Sequence, residues 1–253
     1  MVRRNIAHFD SSFSQSIKKM TRAFKIEIEN LYKAFAKYPF KSSITGCSCC
    51  VSEKDKETLL SKRFKKLEDK ELSRYAFKAM TTWGDVEDFK HYLPRILELT
   101  SLKKLHIDTF IILDKLNYGK WRTWKQSEIV AVEKFLKSWW KYEVNTKGYF
   151  DLELLFGIKN LIKDLPSLLE DWNLDLHSPG FKNYVDLIEN HYYKLMLKDS
   201  TFENLSTWET KIFIQWIQKN AHLLEEGFFK FERIDKEFSH RISNTLYAYE
   251  RIH

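Results

Sequence analysis

Residues Ser178-Pro179-Gly180-Phe181-Lys182-Asn183-Tyr184-Val185-Asp186-Leu187-Ile188-Glu189-Asn190-His191-Tyr192-Tyr193-Lys194-Leu195 decide the fold class. Ser178 offers a side-chain oxygen that can cap a helix. Pro179 then stands at the first helical position, where its missing N–H would have had no intrahelical partner. Phe181, Val185, Ile188, Tyr192 and Leu195 recur at steps of three and four, one face of a 3.6-residue period. A stripe of that kind reads as an amphipathic helix and needs a surface to pack on.

The same signals extend in both directions. Downstream, Ser206 with Glu209 forms a capping box leading into Trp208, Ile212 and Trp216. Gly227 reads as the break before a C-terminal helix carrying Phe231, Ile234, Phe238, Ile242, Leu246 and Tyr249. Upstream, Pro166 opens a short helix, and Gly148 separates the Leu152–Ile162 helix from one carrying Ile129, Val132, Leu136 and Trp139. Thr123 with Gln126 reads as the capping box of that helix. Asp85 caps a helix with Val86, Phe89, Leu93, Ile96 and Leu97 on its apolar face, where Pro94 predicts a kink or restart. Ser52 and Asp55 mark another start. The first helix is expected from about Asp10 to Tyr38, on the stripe Phe13, Ile17, Met20, Phe24, Ile28, Leu31 and Phe35.

Only 7 Gly and 4 Pro occur among 253 residues, too little turn chemistry for a many-stranded sandwich or propeller. At 43% hydrophobic and 30% charged residues, the chain can bury a core and is not of disordered composition. The expectation is an all-α protein of irregular antiparallel helical pairs, a HEAT-like short solenoid or a helical bundle. A single domain over residues 1–253 is expected, with a basic N-terminal helix and cysteine loop at 1–52 and a body of helical pairs at 53–253.

No run of 18 apolar residues exists, so no transmembrane helix is expected. Arg3 and Arg4 are not followed by an apolar segment, which argues against a secretory signal and for the cytoplasm. The net charge of +7 is uneven. Residues 1–74 hold 17 Lys and Arg against 9 Asp and Glu, whereas residues 75–253 hold 25 against 26. This basic third can face an acidic surface or nucleic acid, with Lys18, Lys19, Lys62, Arg63, Lys65 and Lys66 as the contacts. Solvated helix faces are the plainer explanation.

Phosphate-binding glycine loops, His-Glu-x-x-His, Gly-x-Ser-x-Gly and paired Cys-x-x-Cys knuckles are all absent from the sequence, which removes the common nucleotide, zincin, serine-hydrolase and zinc-ribbon classes. The one unusual cluster is Cys47, Cys49 and Cys50, within the longest irregular stretch, 37–52. Thiolates bind zinc and other soft ions, and His91 is the candidate fourth ligand. The alternatives are a redox-sensitive cluster or inert thiols. On one flank of the Asp85 helix, Asp85, Asp88, His91 and Arg95 could bind an anion or move a proton, against the plainer reading of ordinary surface ion pairs. Trp121, Trp124, Trp139 and Trp140, interleaved with lysines and arginine, could stack bases, but core filling explains them better.

The segments Gly46-Cys47-Ser48-Cys49-Cys50, Ser73-Arg74-Tyr75-Ala76-Phe77-Lys78-Ala79-Met80-Thr81-Thr82-Trp83-Gly84-Asp85-Val86-Glu87-Asp88-Phe89-Lys90-His91-Tyr92-Leu93-Pro94-Arg95 and Tyr118-Gly119-Lys120-Trp121-Arg122-Thr123-Trp124 resemble an uncharacterised family of bacterial cytoplasmic proteins. The resemblance covers about residues 38–225. It implies a helical bacterial protein and carries no activity or ligand.

With no enzyme motif, the leading expectation is a non-catalytic interaction or scaffold module that presents a helical surface to another protein. Self-association through the N-terminal helix is a variant of it. The alternatives are nucleic-acid binding through the basic third, or a metal site, structural or hydrolytic and with zinc among its candidate ions, on the cysteine loop.

Overall fold

The computed structural model describes residues 20–252 of the chain. It is all-α: helices packed in pairs, with no strand among the described residues beyond isolated bridges of Trp83 to Gly46 and Ala79. The chain divides into two compact units, with the boundary between Trp139 and Trp140.

The first unit holds α1 (Arg22–Phe35), α2 (Glu53–Leu60), α3 (Asp69–Lys78), α4 (Val86–Ser101), α5 (Thr109–Tyr118) and most of α6 (Gln126–Thr146). α4 is its centre: α1, α3 and α5 all pack against it. The expected long first helix differs at its start. Thr21 caps α1 by accepting from the Phe24 N–H at 3.3 Å, so this helix begins at Arg22. Asp10, Phe13 and Ile17 lie outside the described residues. Phe24, Ile28, Leu31 and Phe35 are buried on the expected stripe.

Two further expectations are corrected in this unit. α4 runs through Pro94 as one helix, so of the expected kink or restart it is the restart that does not occur. The proline removes one donor, that to the Lys90 carbonyl, and burial on both sides of Pro94 holds the helix together. Thr123 does not cap α6. Its hydroxyl donates to the Lys120 carbonyl at 2.9 Å, inside a 3-10 turn, and the helix starts at Gln126. Ser52 and Asp55 do form the expected capping box, as do Asp85 and Asp88. Trp121, Trp124 and Trp139 are buried, as core filling requires.

The second unit holds α7 (Leu152–Ile162), α8 (Leu165–Glu170), α9 (Pro179–Leu187), α10 (Tyr193–Met196), α11 (Thr207–Asn220), α12 (His222–Phe231) and α13 (Lys236–Glu250). Ser178 caps α9 by accepting from the Phe181 N–H, with Pro179 at its first position. Between α9 and α10, residues 188–192 form one π-helical turn, and Tyr192 there stacks on Tyr249 of α13 at 5.3 Å. Gly227 is not the expected break. It lies inside α12, where a Cβ would stand 2.4 Å from Cζ of Phe181, so the missing side chain is what lets α12 approach α9. The real break follows Phe231, and Asp235 caps α13.

Candidate functional site: a three-cysteine loop

The loop before α2 is built by backbone pairing to the α3–α4 connection. The Cys47 N–H donates to the Thr82 carbonyl at 2.8 Å, and the Gly84 N–H donates to the Thr45 carbonyl at 2.7 Å. Gly84 sits at φ +72°, in the left-handed region that favours glycine. A Cβ there would also lie 3.0 Å from the Asp88 side chain and from Ile44. The loop then closes on itself, with the N–H groups of Cys50 and Val51 both donating to the Cys47 carbonyl, at 3.0 and 2.9 Å. Val51 is buried beneath it and Trp83 is buried beside it.

That closed turn points three sulfurs the same way. Cys47 Sγ lies 2.9 Å from Cys49 Sγ, which lies 3.5 Å from Cys50 Sγ. All three sulfurs fall within 4.8 Å of one another. Cys47 and Cys49 are exposed and Cys50 is half-buried. Adjacent cysteines often diverge, but here the turn brings Cys49 and Cys50 together. The far side is held by α3: Lys78 Nζ donates to the Cys50 carbonyl, as does Arg74, whose Nε also pairs with Asp55 at 2.7 Å.

Mutual hydrogen bonding splits the thiols electrostatically. Hydrogen bonds from Cys49, and then from Cys50, favour the charged form of Cys47 and lower its pKa. The same pairing with Cys47 and Cys50 pushes Cys49 up to about 11. One sulfur of the set is therefore the readiest thiolate. Beside it, a cleft of about 430 Å³ opens between Cys47, Lys41, Thr82 and Asp85.

His91 is not brought to this cluster. Its Nδ1 lies 2.8 Å from the Tyr38 carbonyl, and its ring is packed among Phe64, Tyr92 and Phe40. Among the described residues, the three cysteines are the place where donors of this kind converge, and no histidine or carboxylate joins them. The four-ligand zinc set with His91 is thus not assembled.

The Asp85, Asp88, His91 and Arg95 flank is likewise occupied with holding the fold. Asp85 accepts from the N–H groups of Glu87 and Asp88, and Asp88 returns the bond to the Asp85 N–H. Lys41 pairs with Asp88 at 2.7 Å and reaches Asp85 at 3.6 Å. Arg95 donates to the Leu67 carbonyl at 2.7 Å and to Glu98 at 2.8 Å. Of this flank's polar side-chain atoms, His91 Nε2 is buried without a hydrogen-bond partner, while Asp85, Asp88 and Arg95 are engaged as above.

Of the basic residues, Lys18 and Lys19 lie outside the described part. Lys62 pairs with Glu71 at 2.9 Å, and Lys65 lies over the Tyr32 ring at 4.4 Å. Lys66 is exposed on the short 3-10 segment Phe64–Lys66, and Arg63 is exposed just before it. Of the four described residues, Lys62 is thus ion-paired and Lys65 lies on an aromatic face.

Two features escaped the sequence reading. Arg74 and Lys78, four apart on α3, give the signal of one shared helix face, but nothing local says that the face meets Cys50. Glu128 is fully buried and accepts from Lys37, Tyr38 and Lys90. Its position three and four residues before Ala131 and Val132 places it on the core side of α6. No helix among the described residues is long and apolar enough to cross a membrane. No family model, curated protein or solved structure matches the chain.

Proposed function

We propose that the chain binds a soft metal ion through Cys47, Cys49 and Cys50, in a non-catalytic role. The observation that carries this is the convergence of three sulfurs within 4.8 Å on a loop whose backbone is pinned by Thr82, Lys78 and Arg74. Around an ion with metal–sulfur bonds of about 2.3 Å, three sulfurs stand about 4 Å apart. Small side-chain rotations reach that spacing from the observed 2.9 and 3.5 Å. A hydrolytic role would need a carboxylate to accept a proton. Asp85 and Asp88 are instead committed to Lys41 and to the α4 cap.

Elemental analysis of reduced protein purified without chelator tests the proposal. About one equivalent of a thiophilic metal is expected in the wild type and less than about a tenth in Cys47→Ser, the binding free energy also appearing as added thermal stability. Wild-type protein that takes up no such metal, with the same melting point as Cys47→Ser, would refute it.

A second reading, the presentation of a helical surface to another protein, is supported by exposed apolar side chains on the second unit. Trp208, Phe229, Ile234 and Tyr247 are all more than 60% or at 60% exposed. Large apolar side chains of this exposure are available as interface anchors. Trp208→Ser with Phe229→Ser is expected to abolish capture of any protein that the wild type recovers specifically; undiminished capture would dismiss this surface.

A further inference from the structure

We infer that the ion held by this loop is monovalent copper, bound by three thiolates in a three-coordinate site, in preference to zinc. This rests on the soft-metal reading above and names the ion.

The donor set comes first. Structural zinc takes four Cys or His side chains, and a zinc held by three protein ligands still completes four-coordination with a water. The described residues bring three sulfurs together and no nitrogen or oxygen donor. Thiolate-only donors suit monovalent copper, a soft ion satisfied with two or three sulfurs. His91, the histidine that could have made four, is tied to Tyr38 and enclosed by aromatic rings.

The span of the loop is the second observation. The three ligands occupy four consecutive positions within one closed turn, in which the Cys50 N–H returns to the Cys47 carbonyl at 3.0 Å. A turn this tight can place three sulfurs around one edge of an ion. It cannot wrap a tetrahedron, whose fourth corner must come from outside. The open side faces solvent, because Cys47 and Cys49 are exposed. An ion there can be received from, and passed to, another thiolate by exchange of one sulfur at a time.

Charge is the third. Three thiols release three protons on loading, and one Cu⁺ with three thiolates carries two net negative charges. The same thiolates around Zn²⁺ would carry one. Lys78 places its ammonium on the Cys50 carbonyl, and Arg74 lies on the same oxygen while sharing its guanidinium with Asp55. Lys78 is thus the cation positioned to offset the larger negative charge.

The test uses the reduced full-length chain under anaerobic conditions. It is titrated with Cu⁺ supplied as an acetonitrile complex against a chromophoric Cu⁺ chelator. Zn²⁺ is titrated separately against a zinc chelator, and the copper-loaded sample is examined by X-ray absorption. Copper is expected to saturate at one equivalent with three sulfur neighbours, and a tenfold excess of zinc should not displace it. Each single Cys→Ser change should lower the sulfur count to two and weaken binding at least about tenfold. Lys78→Met should keep three sulfurs while weakening binding about tenfold, within the range seen for groups that support metal ligands.

One equivalent of zinc that copper does not displace would overturn the copper assignment and leave the soft-metal reading standing. Two sulfur neighbours in wild-type protein would overturn the three-coordinate site. Uptake of neither metal would overturn both readings together.

Discussion

Replacing Glu128 by alanine will destabilise the first unit by about 3–5 kcal/mol, the cost of leaving a buried charge without its partner. Glu128 is fully buried, and its carboxylate accepts from Lys90 Nζ at 2.9 Å, from the Tyr38 hydroxyl at 2.7 Å and from Lys37 Nζ at 2.5 Å. Lys90 is itself buried in α4, over the Trp124 ring at 4.5 Å. Without Glu128 its ammonium would have only the Tyr38 hydroxyl, at 3.1 Å, and two aromatic faces. Chemical denaturation followed by circular dichroism measures the loss. A change below about 1 kcal/mol would mean that water reaches Lys90 in the variant, and the buried-pair account would fail.

The same carboxyl gives the fold an acid limit. Burial alone would push its pKa up, but hydrogen bonds from Lys37, Tyr38 and Lys90, with the Lys90 charge, outweigh that and bring it from 4.5 down to about 2. The folded value lies below the unfolded one, so the linked stability is complete above about pH 4.5 and is lost as the pH falls toward 2. Glu128→Gln keeps the shape but cannot titrate, so its stability should vary less over that window than the wild type's. An unchanged acid profile would place the acid limit elsewhere.

How far the sequence carried depends on whether a signal is local. Caps are local, and Ser52, Ser178 and Ser206 start helices where they should, each accepting from an N–H three residues on. Stripes are local too, and Phe181, Val185, Ile188, Tyr192 and Leu195 are all buried. The misses share a tertiary cause. Gly227 looks like a breaker, but its lack of Cβ serves Phe181, which lies 46 positions away in sequence. Pro94 looks like a restart, but α4 continues through it, and burial of Leu93, Arg95 and Ile96 around it outweighs the lost hydrogen bond.

The candidate site divides along the same line. That three thiols lie close is legible in Cys47-x-Cys49-Cys50. That they converge follows from Thr82 and Gly84 on the α3–α4 connection, and from Lys78 on α3. The choice of His91 as fourth ligand failed because helical spacing says which residues share a face, not what covers it. Tyr38, Phe40 and Phe64 cover that part of α4, and they come from the irregular stretches that the periodicity does not describe.

In the second unit, Trp172→Ala is expected to cost about 3–5 kcal/mol, the range for removing a large buried aromatic. Trp172 is buried between Phe150, stacked at 5.3 Å, Trp140, edge-on at 5.8 Å, and Trp216 of α11 at 5.1 Å. Its Nε1 donates to the Gly180 carbonyl at 2.9 Å, in the first turn of α9. That turn lies close against the segment following Trp172, since a Cβ on Gly180 would stand 2.2 Å from the Asn173 carbonyl. The ring thus fills space between elements that cannot close in on it, because Asn145 fixes the same segment through bonds to the Asp171 carbonyl and the Asn173 N–H. A rigid surround leaves the cavity open, which puts the loss at the upper part of the range. Trp172→Phe separates the two contributions. It keeps most of the stacking area but leaves the Gly180 carbonyl without its donor, at a cost of about 1–3 kcal/mol. Urea unfolding of the two variants, read by far-ultraviolet dichroism, gives both numbers. Equal losses would assign the effect to the hydrogen bond and contradict the packing argument. A loss in Trp172→Ala below about 1 kcal/mol would mean that the surrounding helices do collapse onto the vacated space.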